Sequence, residues 1–348
     1  MEGLRMMKRV AKRMVVAVSL LAVSLCFSSC GNNAAETTKG SNYVLAACAN
    51  EKRVVLYDMA TYDGENLDNN EVWSFQPTAP EADNGGGMSG VKYREDTVFG
   101  DVIIVCASRG YAGIVSYPEG EVLWEVYDSG DNPHAIEILP SGNVVVAASE
   151  GGTLRLYNSS AVLQNDTEAS VTYKEYNFMN AHGVLWDPEY DVLWVVGGSE
   201  LNAYTVSEDG GTEELQISDN LGGRLPGLNG HDLSADFMDS QYLWVAGGKH
   251  VYHFDKKTGE MSDVYEHSDI LDRPMIKGFG NNPEGNYFFC FPNGGRGTEW
   301  EKENYSTWST DRFYFCFPGD EGSSLAAQQC VSQTCAYYKV VSFCGNYQ

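Results

Sequence analysis

The sequence predicts an all-β fold, a six-bladed β-propeller of four-stranded blades, and three observations predict it. The first is a repeated module. "NPHAIEILPSGNVVVAAS", "AHGVLWDPEYDVLWVVGG" and "GHDLSADFMDSQYLWVAGG" each carry a histidine near the front, alternating apolar residues, a turn and a second apolar run. The second is the period. Ser89, His134, His182, His231 and Lys277 stand at equivalent heads with spacings of 45, 48, 49 and 46 residues, the length of one propeller blade. The third is composition: the chain has 37 Gly and 21 Tyr, and no long stretch keeps a 3.6-residue period, which argues against helices.

Each element follows from the module. Apolar residues fall two and four places after the head, at Val91/Tyr93, Ile136/Ile138, Val184/Trp186 and Leu233/Ala235, which is the alternation of an inner strand. Pro140, Pro188 and Pro283 each lie six residues after a head, so the first turn has one length in three copies. Third strands end in "VVLYD", "RLYN" and "YHFD" before polar turn residues. Trp194 and Trp244 occupy matching places in "VLWVVGG" and "YLWVAGG" and read as core. The first copy, Tyr43 to Pro77, opens on a second-strand sequence and lacks an inner strand. The last segment, Lys277 to Gln348, has 72 residues, too many for one blade. Its "AYYKVVSF" is expected to return to the first blade and close the ring, leaving no open edge. Seven blades is the alternative count.

The N-terminus has a different chemistry. "MEGLRMMKRVAKR" is basic, and the fourteen residues of "MVVAVSLLAVSLCF" are fewer than the roughly twenty that span a bilayer. Small residues and Cys30 follow in "FSSCGNN". Residues 1–29 therefore read as a secretory signal, and Cys30 as a lipidated cysteine resembling the lipobox of bacterial lipoproteins, although Phe27 stands where Leu is usual. Residues 30–42 make a polar tether, and residues 43–348 a single propeller domain. The expected place is the bacterial cell envelope, lipid-anchored and facing the periplasm or the cell surface, with the lipid bilayer as a partner.

Charge and cysteines narrow the partners. The net charge is −25, and removing residues 1–29, with five Lys/Arg and one acid, takes it to −29. Nucleic acid is excluded as a partner, since phosphate binding needs clustered Lys/Arg. Cys48, Cys106 and Cys290 sit in apolar runs and read as buried core, while Cys330, Cys335 and Cys344 cluster near the C-terminus, where export permits a disulfide. No G-x-S-x-G elbow, Walker loop, Rossmann fingerprint or CxxC pair is present. The acidic "DGENLDNNE" has Leu67 where a calcium loop needs an oxygen, and "DTV" at Asp96 resembles a short glycosylation motif of secreted Bacteroidetes proteins.

The stretches "VVLYD", "SGVKYR", "NPHAIEILPSGNVVVAAS", "AHGVLWD", "WSTDRFYF" and "YYKVV" resemble a family of exported bacterial propeller proteins of unknown function found in gut Bacteroidetes and some actinobacteria. The resemblance covers most of the mature chain. It implies a fold and a compartment and no reaction.

In a closed ring the heads lie at one height, so His134, His182 and His231 are expected to meet at the channel mouth. Three imidazoles and a water form a catalytic-metal arrangement, and a divalent metal enters the reading only through them; the sequence requires no other cofactor. The structural alternative, in which each histidine satisfies groups of its own blade, weighs more, because a repeated residue usually answers a repeated structural need. Lys277 at the next head repels a cation and suits a carboxylate or sulfate. Ser89 adds a hydroxyl, while Lys92 and Arg94 alternate to the other strand face, and Arg109 lies in a glycine-flanked turn. The insertion Asn293 to Asp311 carries Arg296, Trp300, Tyr305 and Trp308, aromatic groups suited to stack on a sugar or cap a pocket.

Three functions follow. The favoured one is an envelope lipoprotein that binds a carbohydrate or another small ligand at the channel mouth. The alternatives are a propeller enzyme of the polysaccharide lyase or hydrolase type using the histidine ring, and a protein-interaction scaffold. Replacing Cys30→Ser is expected to move the protein from the membrane to the soluble fraction on cell fractionation; continued membrane association would contradict lipid anchoring.

Overall fold

In a computed structural model the described residues are 42–78, 86–209, 212–227, 229–263, 275–292, 308–317 and 326–345. They form six four-stranded antiparallel sheets, confirming the six-bladed count. Blade 1 holds β1 (Tyr43–Cys48), β2 (Arg53–Asp58) and β3 (Glu71–Phe75). Blade 2 holds β4 (Met88–Thr97), β5 (Gly100–Ala107), β6 (Ala112–Ser116) and β7 (Val122–Val126). Blade 3 holds β8 (Pro133–Ile138), β9 (Val144–Ala148), β10 (Thr153–Tyr157) and β11 (Tyr173–Asn177). Blade 4 holds β12 (Ala181–Asp187), β13 (Val192–Gly197), β14 (Glu200–Asp209) and β15 (Thr212–Arg224). Blade 5 holds β16 (Asp232–Ala235), β17 (Tyr242–Ala246), β18 (Val251–Asp255) and β19 (Met261–Asp263). Blade 6 holds β20 (Gly278–Asn281), β21 (Tyr287–Cys290), β22 (Arg312–Phe317) and β23 (Ala326–Val331).

The remaining strand, β24 (Tyr337–Ser342), supplies the missing inner strand of blade 1. It pairs antiparallel with β1, Leu45 opposite Val341 and Ala46 opposite Val340. The last strand of the chain thus closes the ring through the first blade, as expected from "AYYKVVSF", and no inner-strand edge is left unpaired.

The unbroken apolar runs of the second strands have a direct cause. Each blade is covered on both faces, so both parities of a central strand are buried. In β9, Val144 and Val146 pack toward blade 2 while Val145 and Ala147 pack toward blade 4. β5 divides likewise, Ile103 and Val105 against blade 1, Val102 and Ile104 against blade 3. The core is therefore six clusters, one between each pair of neighbouring blades. Trp194 and Trp244 fill two successive ones, as expected of core residues.

Near the axis the inner strands crowd. A Cβ on Gly183 would stand 2.9 Å from Leu233 Cβ of the next blade, and one on Gly90 would stand 2.8 Å from the His134 carbonyl oxygen. These two glycines let adjacent blades approach. None of the seven cysteines from Cys48 to Cys344 is joined in a disulfide, and Cys48, Cys106 and Cys290 are buried in strands. The disulfide permitted among Cys330, Cys335 and Cys344 is not formed.

Polar ties join blades both at the surface, as between Lys174 and Glu214 at 2.7 Å, and in the interior. Glu137 of β8 takes an ion pair from Lys92 Nζ at 2.9 Å and another from Arg94 Nη2 at 2.6 Å, both on β4, and accepts from the Trp186 amide on β12. Burial pushes the Glu137 carboxyl up, but the Arg94 and Lys92 charges outweigh it and bring it down to about 2. Asp187 accepts from Trp194 Nε1 and pairs with Lys256 Nζ at 2.8 Å, both partners fully buried.

At the axis, Lys339 of β24 pairs with Asp232 of β16 at 3.0 Å and donates to the carbonyl oxygens of His134 and His182 at 3.0 and 3.2 Å. One ammonium thus joins blade 1 to blades 3, 4 and 5 across the channel. Lys339→Met leaves the Asp232 carboxylate buried without its cation and is expected to cost about 3–5 kcal/mol, read as a lower denaturation midpoint. A change of under 1 kcal/mol would show that the tie carries no weight.

Candidate functional site

The inner strands begin at the mouth of the channel, so ring closure brings the heads together. Ser89, His134, His182, His231, Lys277, Tyr338 and Trp308 line one cup of about 620 Å3. Its lining excludes Asp232 and Lys339, which face a smaller cavity of about 50 Å3 together with Lys92 and Arg94. His134 lines both spaces, and the Lys339 tie lies on the side of the smaller one. The expected placement of Ser89 and Lys92 on opposite strand faces does not hold: both reach blade 3, Ser89 at the Pro133 carbonyl oxygen and Lys92 at Glu137, because a register shift between Met88 and Gly90 interrupts the alternation of β4.

The three imidazoles meet, but not around a point. His134 and His182 stack, ring centroids 4.5 Å apart and planes 7° from parallel, while His182 and His231 stand edge to face at 4.9 Å and 76°. Ring-nitrogen lone pairs lie in the ring plane, so two stacked rings do not aim at one ion about 2 Å from each. Among the described residues no group of three or more His, Cys, Asp or Glu is placed to hold a metal ion. Tyr338 continues the stack over His134 at 5.0 Å.

Hydrogen bonds fix the imidazole tautomers. His182 Nδ1 lies 2.8 Å from the Asn180 carbonyl oxygen, which only accepts, so Nδ1 carries the proton and Nε2 keeps a lone pair. Lys277 Nζ lies 3.3 Å from His231 Nε2. An ammonium only donates, so His231 carries its proton on Nδ1, a buried nitrogen without a partner, as is His134 Nδ1.

Burial and neighbouring cations hold all three rings neutral. Burial leads in each case. It pushes His134 well below the ordinary imidazole value, with His182, Lys339 and Lys277 adding to it. His182 is brought down to about 4, its bond to Asn180 opposing burial, and His231 to about 2, where Lys277 is the next cause. Lys277 itself is lowered to about 8 by burial and then by Lys339.

Ser89 is a strut rather than a free hydroxyl, donating to the Pro133 carbonyl oxygen of the neighbouring blade. Trp308 is 54% exposed, and its ring lies 4.9 Å from Lys277 Nζ. It is the part of the aromatic insertion seen at the cup; Arg296, Trp300 and Tyr305 lie outside the described residues, as does Cys30. Sequence reasoning missed Tyr338 in the cup lining and Lys339 of the axial tie. Aligning "YYKVV" with the other heads puts Tyr338 in the sixth head position, but it lies 61 residues after Lys277, and that distance hid it.

The fold and cup define a six-bladed β-propeller with a buried lysine at its channel mouth. The chain belongs to a family described as a family of unknown function (DUF6528), whose model matches residues 11–303. Among curated proteins nothing matches. The chain is similar in fold to a protein of unknown function from Bacteroides caccae, with TM-score 0.54 and 13% identity over 87% of this chain and 99% of that one. It is similar as well to a chain of a nidogen/laminin complex, with TM-score 0.55 and 12% identity over the same shares. At such identities the likeness extends to the fold alone.

The neutral ring has a pH signature. Unfolded histidines take up protons below about pH 6.5, whereas these three do not until about pH 4 or lower. Stability is therefore expected to be level above pH 6.5 with respect to these groups and to fall as the pH drops toward 4. NMR of the imidazole resonances should show three of the six histidines untitrated between pH 8 and 5; ordinary titration of all six would contradict the burial.

Proposed function

We propose that the protein is a cell-envelope lipoprotein whose propeller binds a carbohydrate or another small ligand in the cup at the channel mouth. The observation that carries the reading is the cup itself. About 620 Å3 falls within the size of small-molecule sites, which are concave, partly aromatic and equipped with few polar groups. Trp308 offers an exposed ring at the edge of the cup, a surface for stacking a sugar or another flat group. His182 Nε2 supplies an acceptor and Lys277 a donor, which suffice to orient a ligand.

The envelope part of the reading rests on the basic and apolar leader and on Cys30. Binding is favoured over turnover because, among the described residues, the cup lining has one carboxylate, the exposed Glu150, and hydrolysis of a glycosidic bond ordinarily uses two. A lyase-type enzyme has one observation behind it, the Lys277–His231 contact of ammonium with neutral imidazole, which is an acid/base pair in form.

Trp308→Ala is expected to weaken ligand binding by tenfold or more, the size of one lost stacking contact of about 1.5 kcal/mol, while leaving the thermal midpoint within a degree or two of wild type. Glycan and small-molecule arrays followed by titration measure this. Binding unaffected by the change would remove Trp308 from the site.

A further inference from the structure

We infer that the ligand of this cup carries an acidic group, a carboxylate or a sulfate, and that Lys277 binds it. The inference rests on the cup being a ligand site and specifies what enters it. Among the described residues three lysines are buried, Lys256, Lys277 and Lys339. Two have carboxylate partners, Lys256 with Asp187 at 2.8 Å and Lys339 with Asp232 at 3.0 Å. The less deeply placed Lys92 and Arg94 share Glu137. Lys277, 2% exposed, has no carboxylate within ion-pair distance among the described residues. A buried charge without a counter-charge is costly. It is tolerated where a function uses it, and here it faces the cup.

The surroundings of Lys277 leave it able to donate. An ammonium has three N–H donors, and the polar protein contact of Nζ is His231 Nε2 at 3.3 Å. The rings of Trp308 and Tyr338 lie 4.9 and 5.7 Å away; their faces attract a cation without accepting a directed hydrogen bond. Lys339 repels its charge, and the buried Cys290 thiol acts in the opposite sense. The neutral imidazoles add no positive charge, so Lys277 is the cation that an anion entering the cup meets. A carboxylate or sulfate there would complete the pairing that each other buried lysine already has. A metal cation would instead be repelled by the same ammonium. The acidic remainder of the protein excludes polyanions by its net charge of −25, which favours a small ligand with one or two acidic groups over a long charged polymer.

The test uses the full chain purified in detergent and an array of neutral oligosaccharides, each printed beside its uronate and its sulfate-ester counterpart, with simple aromatic and aliphatic carboxylates included. Acidic members are expected to bind at least tenfold tighter than their neutral pairs, and the uronate and sulfate columns tell which acid is taken. Lys277→Met and Lys277→Gln should each abolish that preference. The wild type gives an independent readout without mutation: as Lys277 loses its proton above about pH 8, binding of an acidic member should weaken about tenfold between pH 7 and 9. Equal binding of charged and neutral members, still lost in Trp308→Ala and unaffected by Lys277→Met, would overturn this inference and leave the cup reading standing. No binding by any member would overturn both.

Discussion

The structure depends on one ammonium. Lys339 arrives on the last strand of the chain, and from blade 1 it reaches a carboxylate of blade 5 and two backbone carbonyls of blades 3 and 4. The apolar contacts of the ring run from each blade to the next, as the six core clusters show, and another tie that skips a blade is the bond from Lys92 Nζ of blade 2 to the Val184 carbonyl oxygen of blade 4. The apolar contacts fix each blade against the next but leave the axis unfilled. A single buried cation with three acceptors from three blades fills it, and its charge is matched by Asp232, so the usual penalty of a buried ion is offset.

The same placement sets the chemistry of the cup. Because Lys339 holds the carbonyl oxygens of His134 and His182, it sits under their rings, and its charge helps hold both imidazoles neutral. Neutral rings are able to stack at 4.5 Å; two imidazolium ions at that distance would repel. The stack and the lowered Lys277 are thus consequences of one charge at the axis together with burial. An acidic surface and a cationic cup coexist since the positive charge lies in the low-dielectric interior, where it is poorly screened.

Much of this was legible in the sequence, for reasons that can be named. The blade count came from His134, His182 and His231 recurring at one spacing, and closure from the surplus residues after Lys277 in a chain whose first blade lacked an inner strand. Both signals are local patterns that the fold repeats. The convergence of Ser89, the three histidines and Lys277 followed from the ring. Orientation did not follow: whether rings converge on a point or stack depends on side-chain torsions and on Asn180, which no periodicity encodes. Tyr338 and Lys339 were hidden because the insertion between Lys277 and β24 breaks the spacing. The ties through Glu137 and Asp187 were hidden as well, since a lone acid in an apolar strand carries no sign of the distant lysine or arginine that pairs with it.

The account stands on β24 being an integral inner strand, locked at the axis by Lys339. Native-state hydrogen exchange reads this directly, because amides in a cooperative core open only with the whole domain. The account predicts that Tyr337–Ser342 amides are as protected as those of β1 and β9. Fast exchange of β24 beside a protected remainder would contradict it, showing a ring that stays folded without its closing strand.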